Sequence, residues 1–172
     1  IISFIYCIYY SLYFYDGYHF GLVFSNAIDL NDGKLPYKEI FIEYGYLTTF
    51  IHSCILKVFG NEVFYLQVYT GLIYSISITL IGFIVKKFTN SYYGLFSIVS
   101  LFLIYPIPLK PWPIYNSYFF YTLAIYFFIK EGNKNKILSG FFLSLAYLSF
   151  TTVYNYVIIF LILLLTLYYL FF

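Results

Sequence analysis

The sequence contains no methionine and no arginine, a single tryptophan and two cysteines, and only 9% of its 172 residues are charged. A soluble domain carries about 25% charged residues, so this chain has too few to coat one. The same shortage, set against 63% hydrophobic residues, excludes a disordered chain, which needs low hydrophobicity and high charge. Cys7 and Cys54 cannot make a disulfide framework, and Cys7 sits in an apolar run. Nine lysines against seven carboxylates leave a net charge of +2. They form no basic run of the kind that binds nucleic acid, so no nucleic-acid partner is expected. Nor is there a Gly-rich phosphate loop of the Walker or dinucleotide type. What the chain has in abundance is aromatic and aliphatic side chains, with 24 Tyr and 22 Phe. The expectation is an all-α, polytopic transmembrane helical bundle, with the lipid bilayer as its first partner. The missing methionine and the apolar end at Phe172 lead us to expect an amino-terminal piece of a longer protein.

A membrane helix needs about 20 largely apolar residues. That rule predicts about six spans, near residues 1–15, 63–85, 92–109, 112–129, 137–153 and 156–172. The last two come from one uncharged stretch, residues 137–172. As a single helix it would reach about 54 Å, far beyond the roughly 30 Å hydrocarbon core, so it is expected to fold back near Thr151, Thr152 and Asn155. Alternation of these spans puts Lys86, Lys87, Lys130, Lys134 and Lys136 on one side. Lys34, Lys38, Lys57 and Lys110 fall on the other, spread over a longer stretch. Dense lysine marks short cytoplasmic loops, so residues 16–62 are expected to face outward.

That first outer loop holds most of the titratable chemistry: Asp16, Asp29, Asp32, Glu39, Glu43, Glu62, His19 and His52. Within it, Phe20, Val23, Phe24, Ala27, Ile28 and Leu30 share one helical face, while Ser25, Asn26, Asp29 and Asp32 share the other. This predicts an amphipathic helix lying in the membrane interface and stopped by Gly33 and Pro36. A second stretch, Leu47 to Phe59, is too short to span. Its polar positions Thr48, Thr49, His52, Ser53 and Lys57 recur on one side, so it is expected as another interfacial or re-entrant helix between Gly45 and Gly60.

The run Asp16-Gly17-Tyr18-His19-Phe20-Gly21 resembles the Asp-Glu-x-His-Phe-Gly opening of the first outer loop in protein O-mannosyltransferases. Asp32-Gly33-Lys34-Leu35-Pro36-Tyr37 is similar to a G-x-x-P-Y pattern of bacterial members of the wider group. Glu43-Tyr44-Gly45-Tyr46-Leu47 resembles their GPL segment, and Val58-Phe59-Gly60-Asn61-Glu62 their lead into the second span. These are marks of the GT-C superfamily of integral-membrane glycosyltransferases, which includes aminoarabinose transferases acting on lipid A. The likeness covers about residues 10–87. Two departures stand out: Gly17 replaces the second acid of the family pair, and Tyr46 replaces the proline of GPL.

The resemblance implies an enzyme of the bacterial inner membrane that takes a sugar from a polyprenyl-phosphate donor. The acceptor would be a lipid, glycan or protein at the outer face. A lipid-borne donor carries its own leaving group, so the main demand is a base for the acceptor hydroxyl. Asp16 is the catalytic candidate, a carboxylate at a boundary where desolvation raises its pKa. The bland alternative is that Asp16 only caps the helix beginning near Tyr18. The leaving phosphate needs a cation, helix N–H groups or a divalent metal. Lys34 and Lys38 are therefore substrate-binding candidates, along with His19, Glu43 and Tyr44. Two histidines 33 residues apart have no metal-ligand spacing, and interfacial hydrogen bonding is the simpler reading of both. Asp29 and Asp32 read as a solvated face, and Trp112 as an interface anchor between prolines. Rival classes are a non-enzymatic transporter or flippase of lipid-linked glycans, and a catalytically inactive GT-C relative. The flippase should carry ionisable residues within its spans, and these spans have essentially none.

Overall fold

The computed structural model describes residues 2–11, 17–104 and 110–151. Among the described residues the chain forms seven α-helices and no strand. They are α1 (Ile2–Ser11), α2 (Gly17–Asn31), α3 (Tyr46–Phe59), α4 (Val63–Phe88), α5 (Ser91–Ile104), α6 (Pro113–Phe128) and α7 (Asn133–Ser149). The all-helical class expected from composition is therefore observed. The number of spans is not: one helix among the described residues, α4, is long and apolar enough to cross a membrane by itself. Its 26 residues reach about 39 Å. Helices α6 and α7 have 16 and 17 residues, at or below the lower limit of about 17 for spanning, and α5 has 14 described residues. The predicted sixth span, 156–172, lies outside the described residues, as do Asp16, Pro106, Pro108, Thr152 and Asn155.

Helix boundaries follow local chemistry. Proline at the first turn of α6 needs no amide partner there and presets the backbone angle. The final turn of α4 holds Lys86 and Lys87, where cations oppose the negative end of the helix dipole. Helix α7 starts at Asn133, four residues before the expected 137. Hydropathy alone misses that polar first turn, because Asn-Lys-Asn-Lys is compatible with a helix but not with a lipid span.

Helices α6 and α7 pack as an antiparallel pair, α4 packs on α5, α6 and α1, and α2 packs on α3. One core joins Cys7, Ile73, Tyr74, Ile78 and Tyr115; another joins Ala27, Leu56 and Leu66. The α4–α5 crossing depends on small residues. A Cβ at Gly94 would stand 2.8 Å from the Gly82 carbonyl oxygen and 3.0 Å from Lys86 Cβ, so the backbones approach as closely as glycine permits.

In α3 and α4 many polar side chains turn inward and large apolar ones outward, the reverse of a water-soluble bundle. Helix α3 buries Thr48, Thr49, His52 and Ser53, while Phe50, Val58 and Phe59 are 46%, 74% and 63% exposed. Helix α4 buries Gln67, Thr70, Ser75 and Ser77 and exposes Phe64, Leu72, Ile76 and Phe83. Several of the inward hydroxyls are satisfied within their own helix. Thr70 donates to the Leu66 carbonyl at 2.7 Å and Ser77 to the Ile73 carbonyl at 2.7 Å.

Helix α2 corrects one expectation. Its predicted apolar face is real, with Phe20, Val23 and Ala27 buried, but that face packs on protein and α3 is its main neighbour. Leu22, Phe24, Ile28 and Leu30 beside that buried stripe are half-buried. Of the two expected interfacial helices, α3 alone turns its apolar side outward.

Candidate functional site

The segment between α2 and α3 is held as a fixed loop. Gly33 turns the chain with a left-handed backbone, φ 84°, and the Lys34 amide donates back to the Asp29 carbonyl at 3.1 Å. The Lys34 ammonium pairs with the Asp29 carboxylate at 2.5 Å, and that hydrogen bond pushes the lysine pKa upward. The Glu39 carboxylate accepts the Leu35 amide at 2.8 Å. Tyr37 takes the left-handed region at φ 63°, and its amide donates to the Ile40 carbonyl at 3.1 Å. Ile40 and Ile42 are buried, and Asn26 of α2 donates to the Phe41 carbonyl at 2.8 Å. A second link, between α2 and α3, is reciprocal: Ser53 donates to the Asn31 side-chain oxygen at 2.7 Å, and the Asn31 amide donates to the Ser53 carbonyl at 3.0 Å.

The loop then docks on the carboxyl end of α7. A Cβ on Gly45 would lie 2.5 Å from the Leu148 carbonyl oxygen and 2.6 Å from that of Ser149, so only glycine fits. Thr48 donates to the Ser149 carbonyl at 3.1 Å. Both the amide and the hydroxyl of Thr151 donate to the Tyr44 carbonyl, each at 2.8 Å. Orphan carbonyls at a helix end need such partners, and here the first turn of α3 supplies the Thr48 hydroxyl to one of them.

Around this junction an aromatic corner forms. His19 meets Trp112 edge-on with ring centroids 4.3 Å apart. Tyr44 lies 4.8 Å from Trp112 and 5.4 Å from Phe150, and Tyr18 is 5.1 Å from His19. Beside the corner is a shallow, open cleft whose enclosed room is small, about 20 Å³, enough for one or two water molecules. Asn26, Glu43, Tyr44, Thr48, Thr49 and Pro113 are among its lining residues. Partial burial, and then the hydrogen bond with the Glu43 carboxylate, push the Tyr44 phenol up to about 12. Tyr44 is therefore a permanent donor near neutral pH, and Glu43 is the carboxylate it faces.

His52, one turn further along α3, behaves differently. It is fully buried, its ring meets Tyr69 edge-on at 6.0 Å, and neither ring nitrogen has a hydrogen-bond partner. Burial pushes its pKa down to about 3. Interfacial hydrogen bonding was expected for it and is not found: the polar side of α3 faces inward, away from any interface.

The predicted site residues thus divide. His19, Glu43 and Tyr44 come together through the aromatic corner and the cleft. Lys34 and Lys38 line neither, and Lys34 is engaged by Asp29. Asp16 immediately precedes α2 in sequence and lies outside the described residues. Trp112 was read as an interface anchor, yet it links His19 to Tyr44. The Pro-Trp-Pro triplet is the one sequence signal that points to it. Among the described residues no three His, Cys, Asp or Glu side chains are grouped to hold a metal ion, so no step is assigned to one. No family model matches the chain, and neither a curated protein nor a solved structure is found to be similar to it.

Proposed function

We propose that the chain belongs to a polytopic helical protein of the bacterial inner membrane, a glycosyltransferase that moves a sugar from a polyprenyl-phosphate donor to a lipid, glycan or protein acceptor at the outer face. The membrane half of this reading is supported by α4 together with the inverted polarity: polar side chains turned inward and large apolar ones outward suit helices solvated by lipid. With α4 as one span, α5, α6 and α7 are short or tilted companions in a locally thin bilayer.

The transferase half rests on one observation. Four segments far apart in sequence, 17–19, 43–45, 112–113 and 149–151, meet at one end of the bundle and bring together an aromatic corner, an open cleft and a carboxylate. Aromatic rings offer apolar faces with polar edges to a sugar, and the tyrosine hydroxyl and asparagine amide of the cleft suit its hydroxyl groups. In the reaction, the acceptor oxygen bonds to the anomeric carbon while the bond from that carbon to the phosphate oxygen breaks. The hydroxyl proton passes to the base, and polyprenyl phosphate departs with the bonding pair. Asp16 is the proposed base, on the resemblance of its sequence context; Glu43, which lines the cleft, is the alternative base. A positioned base contributes about 10² to 10⁴-fold in rate.

The test compares Asp16→Asn and Glu43→Gln with wild type, as full-length protein in the native host at matched membrane levels. Mass spectrometry reads surface glycans and extracted polyprenyl-phosphate sugars. Loss of one sugar with accumulation of its lipid carrier is the expected result, and its mass names the donor. Unchanged profiles for both variants overturn the transferase reading.

A further inference from the structure

At the end of the bundle opposite the cleft, three segments bring lysines together. Lys86 and Lys87 close α4, Lys130 lies in the turn between α6 and α7, and Lys134 and Lys136 lie in the first turn of α7. More than forty residues separate the first pair from the others in sequence. The Lys87 ammonium joins them by donating to the Ile129 carbonyl. All five lysines are exposed, and Glu131 is the one carboxylate in these segments. None of these five lysines forms an ion pair among the described residues, so this positive charge is not neutralised from within. Exposed apolar side chains form a rim among these lysines: Phe88, Tyr92, Tyr93, Phe128 and Ile137. The Lys130 ammonium rests 4.2 Å over the Tyr126 ring.

We propose that this end is a docking surface for anionic phospholipid headgroups, an inference that rests on the membrane half of the reading above and not on the transferase half. Lysines set among exposed apolar and aromatic side chains match a bilayer boundary, where long stems lie along acyl chains and ammonium groups reach phosphates. Juxtamembrane clusters of four or more lysines attract anionic lipids by charge, within a screening length of the surface. A free phosphate or a nucleic acid would leave the rim in water.

The full chain, purified in mild detergent, is reconstituted into phosphatidylcholine vesicles with or without phosphatidylglycerol, and the lipid retained after re-extraction is quantified by mass spectrometry. Phosphatidylglycerol should be enriched over phosphatidylcholine at low salt. Replacing Lys87, Lys130, Lys134 and Lys136 by Gln should lower the enrichment about tenfold or more, while replacing the same four by Arg should retain it. Lys57→Gln, at the opposite end, should leave it unchanged. Equal retention of both lipids by wild type, or enrichment that survives the four Gln substitutions, overturns the proposal. Displacement by millimolar inorganic phosphate as effective as by added headgroup also overturns it, making the site one for free phosphate. If the chain enters neither kind of vesicle, the membrane reading itself fails, and the two failures are thereby distinguished.

Discussion

His52 makes the stability of this fold depend on pH in a calculable way. Its imidazole titrates near 6.5 when exposed in an unfolded chain, whereas burial holds it down to about 3 in the fold. Between those values the unfolded chain carries a proton that the folded one refuses. Stability therefore rises with pH across this window, by about 1.4 kcal/mol per unit for a single site. It is fully present above the unfolded value and is lost progressively as pH falls toward 3. From pH 7 to pH 5 the expected loss through His52 is about 2 kcal/mol.

The perturbation is His52→Leu, which fills most of the same space with a side chain that cannot titrate. At pH 7 the variant should be as stable as wild type or more so, because both ring nitrogens are unpartnered and each unsatisfied buried group costs about 1–3 kcal/mol. On lowering the pH to 5, wild type should lose about 2 kcal/mol more than the variant. Contributions from His19 and from every carboxylate are common to both proteins and cancel in the difference. The assay is the unfolding midpoint of both proteins in one detergent, measured at the two pH values. Parallel pH dependences would refute the reasoning, since they would mean that His52 takes up its proton in the fold as readily as outside it.

Two further predictions follow from close backbone contacts. Gly45→Ala sets a methyl group against two carbonyl oxygens of α7, so it should cost about 1–3 kcal/mol and make residues 32–45 open to protease, read by limited digestion and mass spectrometry. Gly94→Ala should cost a similar amount, about 1–3 kcal/mol, by pushing α5 away from α4. Gly21→Ala, with nothing within 4 Å of the added carbon, should instead stabilise α2 by about 0.5–1 kcal/mol, and thermal unfolding in detergent compares the two.

The helices of the loop were legible because a period of three to four residues needs no tertiary information. The faces were less so. Periodicity shows that Thr48, Thr49, His52 and Ser53 share a side of α3, but whether that side turns inward depends on what surrounds the helix. In water the apolar side would be buried; here it is the polar side, and only the fold shows it. For α2 the apolar side was identified correctly, yet the protein surface that covers it comes from α3, which local pattern cannot specify. The aromatic corner was half legible: His19 and Tyr44 stood out by chemistry, and Trp112 did not, because its contacts come from segments more than sixty residues away in sequence. Gly45 stood out as a helix boundary, whereas its reason lies in the carbonyls of Leu148 and Ser149.

The segment between α2 and α3 is tied to the carboxyl end of α7, which bears on how any variant of the site must be interpreted. Tyr44 is held by its own carbonyl, through two hydrogen bonds from Thr151, while its ring contacts Trp112 and its hydroxyl faces Glu43. A change that undocks the loop from α7 therefore moves the tyrosine, the carboxylate and the cleft wall together, lowering stability and activity at once. Glu43 is exposed, and the docking hydrogen bonds run through Thr48, Thr151 and the Tyr44 carbonyl, so Glu43→Gln should lower activity with the unfolding midpoint unchanged. Gly45→Ala should lower both. A Glu43→Gln protein that loses stability as much as Gly45→Ala does would make the carboxylate part of the docking and remove it from the chemistry.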